Sequence, residues 1–431
     1  MESDKATEAV AKPGKSTRTR RWRRWLGGTA IGGLVALVLV WWAVHTFDWA
    51  GPLVANTLRS IVGVDNVAKL EDLVYAVEDR VNRTFRGTEA PKARWSVPQP
   101  QAQPAPTPVP AAAPRASSAQ APELPPFKPK DPGPALKSWS APGDGVWVPI
   151  VDPRRPSEPP YLMKTLLHPD VTRGWAEVFV VAVDLRRVKV FMMAGSQEPK
   201  ADRKEAEGYP RTGRIPEKHH DELLGAFNGG FMTEHGGYGM KLDGTTIVMP
   251  KPNACTLALY EDGSMRIATW KKLADSEPQM RWYRQAPECM FEDGKIHPGL
   301  TAGSGLKWGA TLDGETVIRR SAVGLNAERD ILFVTITNHT TARVLADGLR
   351  HAGAVDIAQL DVNWSYPKFV LFEPGGAGAP PNNGTGEAGP ERKAVALADG
   401  FEFSEDEYIR QKARRDFFYL MRRDKLSEQE R

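Results

Sequence analysis

Cysteine is scarce in this chain of 431 residues. Only Cys255 and Cys289 are present, which excludes a disulfide-built scaffold and a zinc ribbon. The two thiols could pair if their domain lies outside the cytoplasm, or they could be two separate buried side chains. Their spacing cannot decide between these alternatives, because it does not place the two Cα atoms within bridging distance.

Strong net charge is also missing outside one segment. The total is +4, and residues 1–25 hold eight Lys or Arg against three Asp or Glu, so the rest of the chain is close to neutral. The basic balance therefore indicates a charged N-terminal tail. It argues against a nucleic-acid-binding surface, which would need basic residues spread over a folded domain.

Long apolar runs are absent apart from one near the N-terminus. Residues 26–44 contain no charged side chain, and nineteen helical residues span about 28 Å, close to the hydrocarbon core of a bilayer. The basic tail precedes the run, so the positive-inside rule places residues 1–25 in the cytoplasm. We expect an uncleaved signal anchor over 26–47, with a cleavable signal peptide as the competing reading, and an extracytoplasmic domain that is periplasmic if the cell is bacterial.

Two segments separate this expected anchor from the globular part. Residues 48–87 include apolar side chains at spacings of three and four from Val67 to Val81, which predicts a helix. Its apolar stripe favours packing on the domain or the membrane surface, or else weak self-association through residues 67–81. Fifteen prolines between Pro91 and Pro142 predict an extended linker over 88–142.

The remaining sequence predicts an α+β fold that is mostly β, with mixed or antiparallel sheets and a few helices, over residues 143–421. Short apolar runs flank four Asp-Gly pairs, at 243–244, 262–263, 293–294 and 313–314, each a strong hairpin signal. Helices are expected at 216–224 and 341–352, the second ending at Gly353. Residues 374–392 read as a flexible insertion, residues 416–420 as an edge strand and residues 422–431 as a charged tail.

Polar side chains collect at three ends of predicted strands. Residues 226–231 end in Asn228, Gly229, Gly230 and Phe231, where paired glycines allow a ligand to approach the backbone closely. Arg319 and Arg320 open an apolar strand and could grip a phosphate, and residues 359–366 gather a carboxylate, an amide and a hydroxyl. Each segment is also compatible with an ordinary turn or a solvated strand end.

In combination, the order and spacing of these segments resemble the phosphodiester glycosidase domain family. The resemblance covers roughly residues 160–373, about half of the chain, and it rests on Asn-Gly-Gly-Phe at 228–231, Gly239, two Asp-Gly hairpins and Arg-Ser-Ala-Val-Gly at 320–324. The family has Asp-Gly-Gly-Gly-Ser where this chain has Asp361, Val362, Asn363, Trp364 and Ser365. The Asp and the Ser are kept, and the three glycines are replaced.

The resemblance implies a hydrolase that cleaves a sugar from a phosphodiester-linked glycan. We expect no metal or other cofactor. It implies catalytic roles for Asp361 on the sugar or the attacking water, Arg320 on the phosphate and His339 as a proton carrier. Glu234 is the nearest candidate for the second carboxylate that glycosidases use. The implied substrate-binding residues are Asn228, Gly229, Gly230, Phe231, Glu234, Asn338, Asn363, Trp364 and Ser365.

The replaced glycines keep an alternative open. Val362 and Trp364 cannot reproduce a backbone that needs positive φ or close approach to a ligand. Trp364 would either fill the space that a sugar needs or offer a stacking face. The alternative function is a catalytically inactive member of the fold, tethered to the membrane, that binds an envelope glycan or a partner protein.

Overall fold

The computed structural model describes residues 64–97, 124–301, 308, 316–363, 365–375 and 392–423. By its contacts the chain divides into two compact units, Met1–Glu71 and Asp72–Arg431. The expected tail, the expected anchor, the Asp313-Gly314 pair, Trp364 and most of the 374–392 insertion lie outside the described residues. Within the described ranges, no helix is both long and apolar enough to cross a membrane.

The largest sheet has eight strands, and all its neighbouring strands are antiparallel. In spatial order the strands are β1 (Val148–Ile150), β2 (Leu162–Leu167), β3 (Glu177–Asp184), β14 (Ile331–Asn338), β13 (Arg320–Leu325), β15 (Asp356–Val362), β11 (Phe291–Glu292) and β12 (Lys295–Ile296). Because β14 and β15 both pair with β13, their C-terminal ends lie at the same sheet edge as the start of β13.

Two further antiparallel sheets have five strands each. The second sheet is β7 (Thr245–Val248), β6 (Met240–Leu242), β10 (Met280–Ala286), β8 (Cys255–Tyr260) and β9 (Met265–Thr269). The third is β17 (Arg392–Ala396), β16 (Phe369–Pro374), β5 (Leu223–Asn228), β18 (Phe417–Arg422) and β4 (Val188–Met193). The predicted α+β, mostly β fold with few helices is therefore confirmed.

The described helices are few. They are α1 (Val64–Arg86), α2 (Trp270–Leu273), α3 (Pro298–Thr301) and α4 (Ala342–Ala352). The prediction of α4 is confirmed: the Thr341 side chain accepts from the Val344 amide at 3.2 Å, and Gly353 ends the helix at a φ of 117°. The predicted helix at 216–224 is wrong, because residues 217–222 form a 3₁₀ turn and Leu223 and Leu224 already belong to β5.

Apolar side chains from all three sheets share one core. Phe179 of β3, Leu257 of β8 and Phe418 of β18 are fully buried there. The opposite face of the large sheet is covered by α4 through Leu345 and Leu349. The structure pairs Cys255 with Cys289 as a disulfide, with their Cα atoms 4.6 Å apart.

Three of the predicted Asp-Gly hairpins are confirmed. Asp243-Gly244 joins β6 to β7, and Asp293-Gly294 joins β11 to β12, with positive φ at both residues of each turn. Asp262-Gly263 joins β8 to β9. The prediction that residues 416–420 form an edge strand is wrong. Strand β18 lies inside the third sheet, between β5 and β4, and its side chains are buried on both faces.

The described part of the expected linker packs on the domain. Phe127 is 5% exposed and belongs to the core under α4, and the carbonyls of Leu124 and Pro125 accept from Arg187 at 2.6 and 2.7 Å. Residues 98–123 lie outside the described residues. Phe127 and the backbone of residues 124–125 therefore belong to the folded domain.

Helix α1 contacts the rest of the domain through a polar side chain, Asp79. Asp79 is 8% exposed and receives two hydrogen bonds from Arg173, at 2.6 and 2.8 Å. Val74, Val77 and Val81 face away from this contact and are about half exposed, at 52%, 55% and 48%. The usual arrangement for an amphipathic helix is the reverse. Self-association through residues 67–81 stays a prediction.

Candidate active site

A β-bulge in β15 changes the face of the large sheet from which the Asp361 side chain points. Arg320 is paired with Val362, and Ala322 is paired with Gln359, so Leu360 and Asp361 together face the single residue Ser321. Bulges of this kind redirect side chains and are common beside active sites. The Asp361 side chain therefore points away from the face that carries Gln359 and toward the third sheet. In a strand without the bulge, Gln359 and Asp361 would lie on the same face.

Arg415 is the direct partner of Asp361. Its Nη1 forms an ion pair with Asp361 Oδ2, while Asp361 Oδ1 accepts from the Val362 amide at 2.9 Å. The guanidinium also stacks on Tyr366, 4.3 Å from the ring centre. The Asp361 side chain is 3% exposed and that of Arg415 is 22% exposed. An anion that approaches from solvent would thus meet Arg415 before Asp361.

Burial raises the pKa of Asp361, and the charge of Arg415 opposes this effect. His235 also lowers the pKa of Asp361 through its charge, and Asp416 raises it. Four ionisable groups are therefore close enough to influence one another: Asp361, Arg415, Asp416 and His235. A buried carboxylate whose pKa is shifted by burial and by specific neighbours is typical of functional sites, though structural ion pairs behave in the same way.

The two glycines after β5 fit closely around Asp416. The Gly229 amide donates to the Asp416 carbonyl at 2.9 Å, and the Gly230 amide donates to Asp416 Oδ2 at 3.0 Å. A Cβ on Gly229 would lie 2.2 Å from Asp416 Oδ2, and one on Gly230 would lie 2.9 Å from the guanidinium carbon of Arg284. In this structure the glycines permit contact between backbone and protein side chains.

A buried ion pair between Arg284 and Asp416 packs against the Gly229-Gly230 segment. Arg284 Nε donates to Asp416 Oδ2 at 2.8 Å, and both side chains are 1% exposed. Arg284 also donates to the carbonyl of Phe231 at 2.6 Å and to that of Tyr238 at 3.0 Å. Phe231 itself is 6% exposed and packs edge-on against Tyr238. Phe231 is thus a packing residue in this structure.

Arg320 occupies a different place from the one expected of a phosphate ligand. Its side chain is fully buried and donates to the carbonyls of Trp308, Thr316 and Thr340 and to the Gln359 amide oxygen. Desolvation lowers the pKa of Arg320 to about 10. This geometry argues against a phosphate-binding role, because its donors are spent on protein acceptors on the far face of the sheet from Asp361.

Asn228 is also held by the protein. Its amide donates to Ser321 Oγ at 2.8 Å and to the Gly229 carbonyl at 3.0 Å, and its oxygen accepts from the Lys368 amide at 3.2 Å. Ser321 Oγ in turn donates to the Asp361 carbonyl at 2.8 Å. Asn228 therefore positions the backbone of Asp361, and its full burial leaves it no role in orienting a sugar hydroxyl.

Asn338 and His339 end β14 at the same sheet edge but join a separate cluster. The Asn338 oxygen accepts from Arg319 Nε at 2.8 Å, and its amide donates to Glu177 at 3.3 Å. His339 adopts a φ of 52° and lies near Arg86 and Arg319. Burial, aided by these two cations, lowers the pKa of His339 to about 4. It is therefore neutral at pH 7, which does not suit the expected proton carrier.

The depressed pKa of His339 predicts a pH effect on stability. Between pH 6.5 and 4 the unfolded chain binds a proton on His339 that the folded chain does not, so the free energy of unfolding falls as pH falls. The loss attributable to this group is at most about 3 kcal/mol. We expect His339→Asn, which also tolerates the positive φ, to flatten this slope in urea unfolding series. An unchanged slope would contradict the effect.

The other predicted residues surround Asp361 more loosely. Glu234 lies in a 3₁₀ turn, Thr233–His235, with its side chain 49% exposed and 3.9 Å from His235. Asn363 accepts from the Ser365 amide at 3.1 Å and from its hydroxyl at 3.3 Å, which forms a local turn after β15. Trp364 lies outside the described residues, and its predicted role in sugar binding stays a prediction.

Arg415, Asp416, Arg284 and His235 were not selected from the sequence. Asp416 was predicted only as the first residue of an edge strand, and Arg415, which directly precedes this apolar run, was given no role. Their contacts bridge 54 residues from Arg415 to Asp361 and 132 residues from Asp416 to Arg284.

Two surface cavities in the described part of the chain lie apart from this cluster. One, of about 450 Å³, is lined by residues that include Glu288, Cys289 and His297, and the other, of about 30 Å³, includes Asp152 and Arg422. Asp361 lines neither. Within the described ranges no group of His, Cys, Asp and Glu side chains is arranged to hold a metal.

No family model matches the chain, and no curated protein matches it significantly. Among solved structures, the catalytic domain of zebrafish N-acetylglucosamine-1-phosphodiester alpha-N-acetylglucosaminidase is similar at 16% identity, over 62% of this chain and 85% of that one, with a TM-score of 0.39. A hypothetical protein from Synechocystis is similar at 10% identity over 62% and 65% of the two chains, with a TM-score of 0.32. A putative exported protein from Burkholderia pseudomallei is similar at 10% identity, over 57% of this chain and 74% of that one, with a TM-score of 0.33. These values describe a distant structural resemblance.

Proposed function

We propose that this chain is a hydrolase that cleaves a sugar from a phosphodiester-linked glycan, with Asp361 at its centre. The observation that carries the proposal is the Asp361–Arg415 ion pair, in which a buried carboxylate with a raised pKa is covered by a partly exposed guanidinium. Guanidinium groups bind phosphate oxygens through paired donors. A carboxylate beside a bound phosphodiester is in position to act on the adjoining anomeric carbon.

The reaction would begin when the substrate phosphate draws Arg415 away from Asp361. Asp361 then loses the charge that lowers its pKa, so it becomes a better base. A water oxygen attacks the anomeric carbon and gives its proton to Asp361, while the bond from that carbon to the phosphate oxygen breaks. The phosphate monoester leaves with the bonding electron pair, and Arg415 stabilises its charge.

Glu234 and His235 are the remaining candidates for proton transfer. They share one 3₁₀ turn, and His235 acts electrostatically on Asp361. A phosphodiester is already a fair leaving group, so a weak acid suffices there. This arrangement replaces His339 and Arg320 with His235 and Arg415 in the roles of proton carrier and phosphate ligand.

A binding module without activity is the second candidate. It is supported by the near-complete burial of Asp361 and by the loss of the three glycines of the family segment at 362–364. In that case Arg415 would bind the phosphate of an envelope glycan and Asp361 would only hold Arg415 in place.

The deciding experiment is an assay of the full chain, purified in a mild detergent, on a panel of sugar phosphodiesters that includes nucleotide sugars and wall-polymer fragments. Release of reducing sugar together with phosphate monoester supports the hydrolase. Absence of turnover across the panel, with saturable glycan binding, supports the binding module and rejects the hydrolase.

We also propose that residues 26–47 anchor the chain in a membrane with its C-terminal domain outside the cytoplasm. The basic tail before the apolar run and the Cys255–Cys289 disulfide support this, since disulfides persist in oxidising compartments. The full chain should stay in the membrane pellet after carbonate extraction, and external protease should digest its domain in intact spheroplasts. Recovery in the soluble fraction would reject the anchor.

A further inference from the structure

Arg211 lies within electrostatic reach of Asp416, one of the four interacting groups around Asp361, and one of its nitrogens is unpartnered among the described residues. Its Nη1 donates to the Gly195 carbonyl at 3.2 Å, a long bond, and its buried Nη2 has no hydrogen-bond partner in the described part of the chain. A buried donor without a partner costs about 1–3 kcal/mol, more if it is charged. Such an atom in a folded protein calls for a specific explanation, such as a bound ion.

The nearby carboxylates are already engaged. Glu198 and Asp416 both act on Arg211 through their charge, but neither forms an ion pair with it among the described residues. Glu198 accepts from the amides of Thr233 and Lys200, at 3.0 and 3.2 Å, and Asp416 is bound to Arg284 and Gly230. Arg211 therefore has charged neighbours and no counterion of its own.

Arg211 is joined to the catalytic centre through the backbone of Gly195. A Cβ on Gly195 would lie 2.4 Å from the Arg415 Cα, so these two segments are in direct contact. The acceptor of Arg211 is the carbonyl of this same glycine. Arg211 and Arg415 are thus both neighbours of Gly195, Arg211 through its Nη1 and Arg415 through its backbone.

We infer that Arg211 is the second arm of an oxyanion-binding site, which holds the non-reacting oxygens of a phosphoryl group while Arg415 holds the side nearest Asp361. The inference rests on the proposed function and names the group of the substrate that Arg211 recognises. Its unpartnered Nη2 offers a charged donor, and the single long bond of Nη1 leaves the guanidinium able to reorient toward a ligand. Chloride and carboxylates lack the tetrahedral set of oxygens that two guanidinium groups can share.

The test is titration calorimetry of inorganic phosphate into the full chain, with sulfate, acetate and chloride as comparison anions at equal ionic strength. Arg211→Gln should weaken phosphate binding by at least about 10-fold, as expected for the loss of charge-assisted hydrogen bonds. Arg414→Gln is the matched control, since the Arg414 side chain is exposed, lies next to Arg415 and, among the described residues, hydrogen-bonds through its Nε to Gln197 alone. This control should leave the Kd for phosphate unchanged within twofold.

Folding of the variant is checked by its melting temperature in phosphate-free buffer. Arg211→Gln removes a half-buried charge whose Nη2 is buried and has no partner among the described residues, so the variant should melt no lower than the wild type. Equal phosphate affinity in the wild type and Arg211→Gln, or no preference for phosphate and sulfate over acetate, would overturn the inference. Arg211-dependent phosphate binding without turnover of any sugar phosphodiester would keep this site and reject the hydrolase.

Discussion

Asp361→Asn should reduce the hydrolysis of sugar phosphodiesters by about 10²–10⁴-fold, the range for removal of a positioned general base. The amide keeps the shape of the side chain but cannot accept a proton from water. It also loses the ion pair with Arg415, so phosphate binding should be kept or strengthened. The kcat and the Kd for inorganic phosphate, measured on the same preparation, should therefore move independently.

Asp356→Asn is the control for this variant. Asp356 opens the same strand, is also buried, and accepts from the Asp293 amide at 2.7 Å at the opposite end of β15 from Asp361. It should retain the turnover of the wild type. Full turnover in Asp361→Asn, or equal loss in both variants, would remove Asp361 from the centre of the mechanism.

Asp416→Ala should lower the free energy of unfolding by about 3–5 kcal/mol, the cost of leaving one charge of a buried pair without its partner. The guanidinium of Arg284 would stay buried beneath the Gly229-Gly230 loop, and the Gly230 amide would lose its acceptor. Urea unfolding monitored by Trp fluorescence gives the difference directly, provided that the m value is unchanged.

The double variant Asp416→Ala with Arg284→Met separates charge from packing. Removal of both charges should recover most of the stability lost in the single variant, because apolar replacements of buried pairs are often close to neutral. A loss below about 1 kcal/mol in Asp416→Ala would mean that water reaches Arg284 and that the pair does not support the loop.

Local signals in the sequence were sufficient for the hairpins and for α4. Asp-Gly turns need only positive φ at two adjacent residues, and Thr341 and Gly353 act on the ends of their own helix. Each of these depends on neighbours within four residues. The strand that contains Asp361 was predicted for the same reason, from the segment 355–362 that follows the helix-ending Gly353.

Side-chain direction and partners across the chain could not be predicted in this way. Arg320 and Ser321 are adjacent, yet one is committed to the α4 side of the sheet and the other supports Asp361. Asp361 changes face because of one extra residue at the bulge, which depends on the register with β13. Arg415 reaches the site only because β18 enters the interior of the third sheet.

The most direct test of the account is hydrolysis of a sugar phosphodiester by the full chain in ¹⁸O-labelled water, followed by ³¹P NMR of the product. Attack at the anomeric carbon predicts a phosphate monoester whose phosphorus signal carries no isotope shift, since the labelled oxygen enters the sugar. A shifted phosphorus signal would show attack at phosphorus by a phosphodiesterase and would contradict the role given to Asp361. Absence of product would leave the membrane-tethered binding module as the function.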